Sequence, residues 1–503
     1  MPSKAQSRIA DDPFGAARAT FEEMVHWLGG DDVPVTAADI ERSVVVRGRE
    51  LLRRLLEARF DVLHLHERVE LERVGAPEGV EVRARKRHLE TELGRTRLWR
   101  YGFQEKRGKA ARFPLDQQLN LPQKLYSHPL RQRVADEART GAWEQAVERI
   151  DRSTGGHVPK RQAEEQTVLA AQDFEAFYEQ RPANDSPSDA ARLCMSTDSK
   201  GVPMRPEALR DATRKAAEAE KAQAGRGDPM APKKLRRHDK RMAIVTAVWE
   251  QEPHPRTAKD IIDNLRPGAA AKRRKKARKT RAPRPHHKRL YASVEKTQAA
   301  GIAEMFDEAD RRDPERRRTA VVLADGEEHQ QTAVFDEARK RNRNLTLVLD
   351  IIHVLSYLWA AGFALCRKNP LKTEAWVVRY LEKLLTCPVE SVIADIQRSV
   401  AQRRLSPKQR KPVDKCIKYF TSNASFMRYP EFLAQGLPIA TGVIEGACRH
   451  LIQDRLGITG ARWGLAGAEA VLKLRAIHSS RDWNEYWRFH ERQEAWRNHA
   501  TAA

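Results

Sequence analysis

Residues 319–330, TAVVLADGEEHQ, decide the fold of this chain. Their five consecutive small and branched apolar residues predict a short buried β-strand, and the Gly-Glu pair after Asp325 predicts the turn that follows it. A similar run at residues 193–202, LCMSTDSKGV, places Asp198 after another apolar stretch. We therefore expect both aspartates to end strands, where carboxylates can converge at one edge of a sheet.

A third acid, Glu445, occurs in a different context. Residues 441–456, TGVIEGACRHLIQDRL, carry apolar side chains at helical spacing, so Glu445 is predicted to lie near the start of a helix. Because the chain has 69 acidic residues, three spaced acids are weak support for a metal site by themselves. The interpretation depends on the predicted positions of Asp198 and Asp325 at strand ends. Carboxylate oxygens suit Mg²⁺, and two ions about 4 Å apart can activate an attacking oxygen and stabilise a departing one.

The charge of the chain indicates a polyanionic partner. The 503 residues include 92 Lys and Arg against 69 Asp and Glu, which gives a net charge of +23 and a pI near 9.9. Nucleic acid is the leading candidate. An anionic membrane surface is the alternative, but no separate basic amphipathic anchor is evident in the sequence.

The compartment follows from three further observations. The N-terminal residues contain no apolar segment of the kind found in secretion signals. The longest apolar stretch, residues 351–366, is interrupted by polar side chains and is shorter than the roughly 20 residues that span a bilayer, so we interpret it as a buried helix. Five cysteines without a CxxC pair favour neither a disulfide scaffold nor a cysteine zinc site. We expect no membrane association and a cytoplasmic location.

Cys448 and His450 are close in sequence but do not predict a metal site. Two residues apart on a helix, their side chains point away from each other. We therefore interpret Cys448 as a small core thiol.

The order of the predicted elements indicates an α/β fold with a mixed sheet. Candidate strands are at residues 193–202, 242–250, 319–326 and 345–354, and a β-hairpin is predicted within residues 82–104. The predicted organisation is a mainly helical region with the hairpin (1–125), a helix-turn-helix-like segment (126–180), a linker (181–190), the first part of a core with a basic loop at 266–290 (191–355), a helical insertion (356–436), the final part of the core with the Glu445 helix (437–480) and a C-terminal tail (481–503).

Two basic features are candidate DNA contacts. Lys160 and Arg161 begin the third helix of the helix-turn-helix-like segment, where they could enter a DNA groove, although an ordinary three-helix packing unit fits the periodicity as well. Residues 271–289 contain eleven Lys or Arg and no aromatic residue, so they predict phosphate contacts without base stacking. The densest run of this tract is Lys272, Arg273, Arg274, Lys275 and Lys276.

Several segments together resemble the DDE transposases of bacterial insertion sequences, specifically the ISKra-type group related to mutator-like transposases. The segments that carry the resemblance are STDSKGVPMRPEALRDATRKA, ADGEEHQ, LVLDIIHVLSYLW, RKPVDKC, LPIATGVIEGACRHLIQDRLGITGARWGLAGAEAVLKLRAIHSS and DWNEYWRFHERQE, with LPQKLYSHPLRQRVADEA and TGGHVPKRQAEE upstream. The resemblance covers nearly the whole chain, and the block around Glu445 is its most specific part.

The resemblance implies an RNase H-like catalytic core interrupted by an all-helical insertion and preceded by a mainly helical DNA-binding region. It implies catalytic and metal-binding roles for Asp198, Asp325 and Glu445, with two Mg²⁺ ions, or Mn²⁺ in their place. The first acid is followed by Ser199, where the family pattern has glycine.

Three auxiliary residues are predicted beside the acids. Asp350 and His353 form a D-x-x-H pattern similar to a motif of related transposases, and on a helix they would share a face and could position DNA or the metal ligands. A helix cap and a core histidine are the structural alternative. Arg449 lies one turn beyond Glu445 and could hold that glutamate or grip a phosphate. Trp463 could stack on a base, although a core position is the more common role for tryptophan.

The resemblance implies cleavage and strand transfer at the ends of a mobile element. The expected partner is double-stranded DNA, namely the terminal inverted repeats and the target, bound by a homodimer or larger assembly associated with the bacterial nucleoid. A structure-specific nuclease on the same fold and a non-catalytic DNA-binding relic are the alternatives.

Overall fold

The chain divides into two compact units in the computed structural model, Met1–Gln180 with Asp482–Ala503 and Arg181–Arg481. The structure describes residues 12–105, 111–182, 188, 190–224, 239–265, 283–366, 369–458 and 460–499. The division coincides with the start of the predicted linker at residue 181. The predicted C-terminal tail forms a helix that belongs to the first unit.

The first unit opens with two helices and a hairpin. Helix α1 is Gly15–Leu28 and α2 is Ala37–Val74. Helix α2 runs past its predicted end near Leu63, because no glycine or proline lies between Leu63 and Gly75. The hydroxyl of Thr36 accepts a hydrogen bond from the Asp39 backbone N–H and caps α2, as the sequence predicts. The hairpin is confirmed as β1 (Val80–Thr91) paired with β2 (Gly94–Glu105).

Small helices complete the first unit. They are α3 (Pro114–Gln118), α4 (His128–Ala138), α5 (Trp143–Ser153), α6 (Lys160–Ala170), α7 (Phe174–Gln180) and the C-terminal helix Trp483–His499. Leu130, Val134, Ile150 and Ala163 lie in one buried cluster that joins α4, α5 and α6, so the three predicted short helices pack together. The predicted third segment is two helices, because residues 171–173 form a turn between α6 and α7.

The second unit is built on a mixed five-stranded sheet, which confirms the α/β class. Its strands are β3 (Arg192–Pro203), β4 (Lys240–Gln251), β5 (His286–Ser293), β6 (Ala320–Ala324) and β7 (Thr346–Leu349). The spatial order is β5-β4-β3-β6-β7. Strands β5, β4 and β3 are antiparallel neighbours, whereas β3, β6 and β7 run parallel.

Three strand predictions need correction. Asp198 does not end its strand, because β3 continues to Pro203 in register with β4. The predicted strand at 345–354 stops at Leu349, since the Asp350 side chain accepts a hydrogen bond from the Ile352 backbone N–H and starts a helix there. Strand β5 is not among the predicted strands and overlaps the basic loop predicted at residues 266–290, because its first half is charged and exposed.

Helices surround the sheet. Helices α8 (Asp211–Ala224) and α9 (Ala258–Leu265) flank β4 in sequence, while α10 (Gln298–Arg312) and α11 (Glu328–Lys340) precede and follow β6. Ile302, Phe306 and Val334 of α10 and α11 pack against Met195 and Val322 of the central strands. This buried cluster holds the two helices on one face of the sheet.

An all-helical insertion separates β7 from the helix of Glu445, as predicted. It contains α12 (Ile351–Leu365), α13 (Pro370–Thr386), α14 (Val389–Ala401), α15 (Pro407–Ser422) and α16 (Tyr429–Ala434). Then follow α17 (Gly442–Ala447), a π-helical turn at Cys448–Gln453, α18 (Asp454–Leu456) and α19 (Leu465–Ser479). Among the described residues, no helix has the length and apolar character needed to cross a membrane.

Gly301 allows α10 to approach β4 closely. A Cβ atom at this position would lie 2.8 Å from Cγ1 of the buried Ile244 side chain. We expect Gly301→Ala to destabilise the protein by about 1–3 kcal/mol, because overpacking displaces the helix from the sheet. Urea-induced unfolding measures the change.

Gly467→Ala is the matched control for this prediction. Gly467 is also helical and belongs to the same unit, but no atom outside its own helix lies within 4 Å of its added Cβ. We expect it to be neutral or slightly stabilising, since alanine favours helix over glycine. Equal effects of the two substitutions would contradict close packing at Gly301.

Candidate active site

The register of the sheet brings Asp198 and Asp325 side by side. In the parallel pair of β3 and β6, Ser196 lies opposite Leu323, an offset of 127 positions. The same offset, 325 − 198 = 127, places the two aspartates at the same level just beyond the paired residues. Adjacent strands are about 4.8 Å apart, so the two carboxylates can reach a shared ligand.

A lysine supplies the cation beside the first aspartate. Lys200 Nζ lies 2.9 Å from Asp198 Oδ2. Burial disfavours the charged ammonium, but the hydrogen bond and charge of Asp198, with a further contribution from Asp325, raise the pKa of Lys200 above its usual value. Both aspartates therefore stabilise the charged ammonium form of Lys200.

The helix of Glu445 packs against the strand of Asp198 through Cys448. This buried thiol donates a hydrogen bond from Sγ to Asp198 Oδ2 over 3.2 Å. Burial, together with the negative charge of Asp198 and a smaller effect of Glu445, raises the pKa of Cys448. Cys448 is therefore a neutral donor to the first acid, and the interpretation of it as a plain core thiol is incomplete.

Glu445 lies one helical turn before Cys448 and is exposed to solvent. Residues three apart share a helix face, so Glu445 is on the side of its helix that faces Asp198. The helix changes from α to π geometry at Cys448, immediately after this turn. Local π-helical segments of this kind occur often at functional sites.

Arg449 points to a different partner from the predicted one. Its guanidinium Nε is 3.6 Å from Asp454 Oδ1, and its side chain is 72% exposed. Arg449 lies four residues after Glu445, close to the same helix face, but its ion pair is with Asp454. Its side chain is available to a ligand, and the predicted phosphate contact stays a prediction.

The carboxylate of Asp350 connects the segments that carry the second and third acids. It is fully buried and accepts hydrogen bonds from the Thr441 hydroxyl at 2.6 Å and the Thr441 backbone N–H at 3.2 Å. The Asp350 backbone N–H donates to the carbonyl of Ala324, the residue before Asp325, over 2.8 Å. Thr441 directly precedes α17, so Asp350 sets the start of the Glu445 helix relative to β6.

His353 lies on the same side of the site. Its Nδ1 is 2.9 Å from Asp350 Oδ2, and its ring is 43% exposed. The hydrogen bond with Asp350 raises the pKa of His353 despite partial burial, and the charges of Asp325 and Asp198 add to the rise. Asp350 is therefore confirmed as a helix cap, whereas His353 is too exposed to be a core histidine. Its role in positioning DNA or the metal ligands stays a prediction.

The helical insertion contacts the loop of the second acid. Tyr419 of α15 donates a hydrogen bond from its hydroxyl to the Asp325 carbonyl over 2.6 Å, and its ring stacks on Tyr357. Gly326 has a φ of +89°, and a Cβ atom there would lie 2.7 Å from the Tyr419 hydroxyl. Only glycine fits this turn without strain, which explains the Asp-Gly pair.

Both aspartates line one cavity of about 510 Å³, together with Thr297 and Gln298 at the start of α10. Its wall includes two further groups from the sheet, Met242 and Ile244, and two cationic side chains, Arg210 and Lys296. The remaining lining residues are Ser199, Thr297, Gln298, Glu327 and Gln330. Acidic and basic side chains thus line the same cavity.

The donor set of the site fits a hard divalent cation. Asp198 and Asp325, whose carboxylates are the oxygen ligands that hard cations prefer, both line one cavity, and Lys200 already balances the negative charge of Asp198. Within the described residues, no group of three or more His, Cys, Asp and Glu side chains is close enough to hold a metal ion as arranged. Asp198 and Asp325 are the pair that the fold brings together, and Glu445 is held nearby through Cys448.

Two of the predicted DNA-binding residues, Lys160 and Arg161, belong to the first unit. Lys160 begins α6 and forms an ion pair with Glu144, whereas Arg161 is 89% exposed and 3.4 Å from Glu165. Both are at the accessible start of the third helix of the packed trio. Residues Lys272, Arg273, Arg274, Lys275 and Lys276 lie outside the described residues.

Trp463 is buried, which confirms the core interpretation. Its indole N–H donates to the Leu456 carbonyl, and its backbone bonds with Pro203 and Arg205. These bonds tie the end of β3 to the loop that follows the Glu445 helix.

Sequence reasoning missed three residues of this site: Lys200, Thr441 and Cys448. Lys200 follows Asp198 by two positions, and side chains two apart share a strand face. Cys448 follows Glu445 by one helical turn, so the sequence spacing alone predicts that the two side chains share a helix face. Thr441 leaves no such signal, because its partner Asp350 is 91 positions away.

Comparison of the chain with protein-family models and with curated proteins finds no match in either case.

Thr441→Val should loosen the Glu445 helix. The substitution keeps the shape but removes the hydroxyl that donates to the buried Asp350 carboxylate. Hydrogen bonds to charged groups contribute about 1.5–3 kcal/mol, so we expect a loss of stability of that size and faster hydrogen exchange in residues 442–447. Thr421→Val is the control, because that exposed hydroxyl bonds only to the Ile417 carbonyl of its own helix. Slow exchange in the Thr441 variant would contradict the link.

His353 should titrate above 6.5, the ordinary histidine value. Because folding raises its pKa, its pair with Asp350 contributes stability that is complete below pH 6.5 and is lost as pH rises through the folded value. Histidine NMR spectra of the chain, assigned with a His353→Gln variant, measure the pKa, and urea unfolding at several pH values measures the linkage. A pKa at or below 6.5 would refute the proposed contacts.

Proposed function

We propose that this chain is a DDE-type DNA transposase with an RNase H-like core, which binds the terminal repeats of an insertion sequence and performs Mg²⁺-dependent cleavage and strand transfer. The supporting observation is the equal level of Asp198 and Asp325 on adjacent parallel strands, both lining one cavity. The packing of the Glu445 helix on Asp198 through Cys448 adds the third acid.

Asp198 and Asp325 would hold the metal ions, and Glu445 would complete the set from its helix. Bound Mg²⁺ lowers the cost of charge on the attacking and departing oxygens of a phosphodiester. Asp350 and Thr441 keep the third acid aligned with the second, while Tyr419 holds the Asp325 loop. A divalent cation held by Asp198 would compete with the ion pair of Lys200, whose ammonium would then be available to a substrate phosphate.

Water is the first nucleophile in this proposal, and the freed 3′-hydroxyl is the second. Both attack a phosphorus atom directly, so no side chain needs to become covalently attached. The net charge of +23 favours DNA as the substrate and makes its binding dependent on salt. Arg161, exposed at the start of α6, is a candidate contact to duplex DNA, as are the residues of the basic loop.

Two alternatives use the same geometry. A structure-specific nuclease needs the same acids but never joins strands. A non-catalytic DNA-binding protein is compatible with the ion pair between Lys200 and Asp198, which would then be a permanent structural contact. A metal-dependent fall in the pKa of His353 would count against this last alternative, because a nearby divalent cation disfavours the charged ring.

Asp325→Asn, Asp198→Asn and Glu445→Gln test the proposal. Each removes one charged metal ligand, and we expect cleavage to fall by roughly a hundredfold or more, since a metal site supplies several kcal/mol. The substrate is duplex DNA taken from both sides of the reading frame, incubated with Mg²⁺. Binding of the same DNA, measured by gel shift in Ca²⁺, should be retained.

Asp336→Asn is the matched control, because Asp336 is an exposed aspartate on α11 whose partner is Arg339. It should cleave as the parent chain does. Pre-cleaved ends offered with a target duplex then separate transposase from nuclease, since only the transposase yields joined strands. Unchanged activity in the Asp325 variant would refute catalysis at this site.

A further inference from the structure

The cavity beside the two aspartates has a second wall that metal binding does not require. Arg210 and Lys296 line it together with the aspartates, and the N-terminus of α10 follows at Thr297. The guanidinium of Arg210 donates to the Lys296 carbonyl over 3.2 Å, yet its side chain stays exposed. A phosphate group can therefore reach a cationic contact at a distance from the metal site.

Gln330 supplies an unused hydrogen-bond acceptor on the same cavity. Its residue is 2% exposed, and its Nε2 donates to the Thr197 carbonyl over 3.1 Å. That bond determines the amide orientation, because a carbonyl can only accept. Gln330 Oε1 is buried and has no protein partner. A buried unpaired acceptor costs free energy, which a ligand N–H or O–H would recover.

The strand side of the cavity is apolar. Ile244 is buried, whereas Met242 is 52% exposed on the part of β4 that pairs with the strand segment after Asp198. An exposed methionine is a flexible apolar surface suited to flat ring systems. The volume of about 510 Å³ lies in the range of small-ligand pockets, roughly 300–1,000 Å³.

We propose that this cavity holds one unstacked nucleotide of the DNA strand, adjacent to the phosphodiester that is cut. Its base lies on Met242 and Ile244 and donates a ring or amino N–H to Gln330 Oε1. Its second phosphate meets Arg210, while the scissile phosphate lies at the aspartates. This assignment rests on the proposed function, since it takes the acid pair as the reacting end of the cavity.

Deoxynucleoside 5′-monophosphates test the pocket without any need for the element sequence. They carry one base and one phosphate and contain no phosphodiester bond. In Mg²⁺, we expect the full chain to bind them at least fivefold more tightly than deoxyribose 5-phosphate, as measured by calorimetry. Equal binding of the base-free compound would overturn the proposal.

Two substitutions locate the binding. Arg210→Ala should weaken the nucleotides and deoxyribose 5-phosphate alike by about fivefold or more, because both lose a charge-assisted phosphate contact. Met242→Ala should reduce only the preference for the base. Both side chains are exposed, so the fold should survive. Arg214→Ala is the control, since Arg214 lies one turn further on, pairs with Asp211 and does not line the cavity.

The outcomes separate this pocket from the proposed catalysis. The pocket is supported if nucleotides bind more tightly than the base-free compound, Arg210→Ala weakens the binding and Met242→Ala reduces the preference for the base. This holds whether or not flanking DNA is cleaved. Cleavage of flanking DNA without base-dependent binding leaves the transposase proposal intact and overturns the pocket. Binding that neither substitution alters also overturns it, because the nucleotide would then bind elsewhere.

Discussion

The buried carboxylate of Asp350 is the constraint on which the candidate site depends. It lies in the interior of the second unit, where an unpaired carboxylate would be very costly. Its bonds come from the start of its own helix, from His353 and from both polar groups of Thr441. Satisfying this one group therefore brings the end of the sheet and the start of the Glu445 helix together, across a helical insertion of about eighty residues.

The local charge of the site is the reverse of the charge of the chain. A strongly basic protein gathers Asp198, Asp325 and Glu445 in one region and balances them with Lys200 and His353. The raised pKa values of these two cations have the same origin, namely the nearby aspartates. In the proposed function, a divalent cation would replace these cations and keep the site near neutrality, while the net positive charge of the chain would attract the phosphates of DNA.

The success of each sequence prediction followed the strength of its local signal. Strands β4 and β6 are apolar, and the hairpin and short helices have clear turns, so their positions were predicted to within a few residues. Edge strand β5 begins with His286 and three more basic residues, since only its second half is buried, and this charge concealed it. The extension of β3 beyond Asp198 depends on pairing with β4, a non-local contact that a run of polar residues does not reveal.

The sequence by itself determined the α/β class and the helical segment between β7 and the Glu445 helix, because apolar periodicity and turn residues act over a few positions. Tertiary structure alone decided that Asp198 and Asp325 share one level of the sheet, that Cys448 donates to Asp198, and that Thr441 satisfies Asp350. These contacts join residues 91 to 250 positions apart. Such pairings are set by strand register and by the burial of charge, and both are properties of the folded chain as a whole.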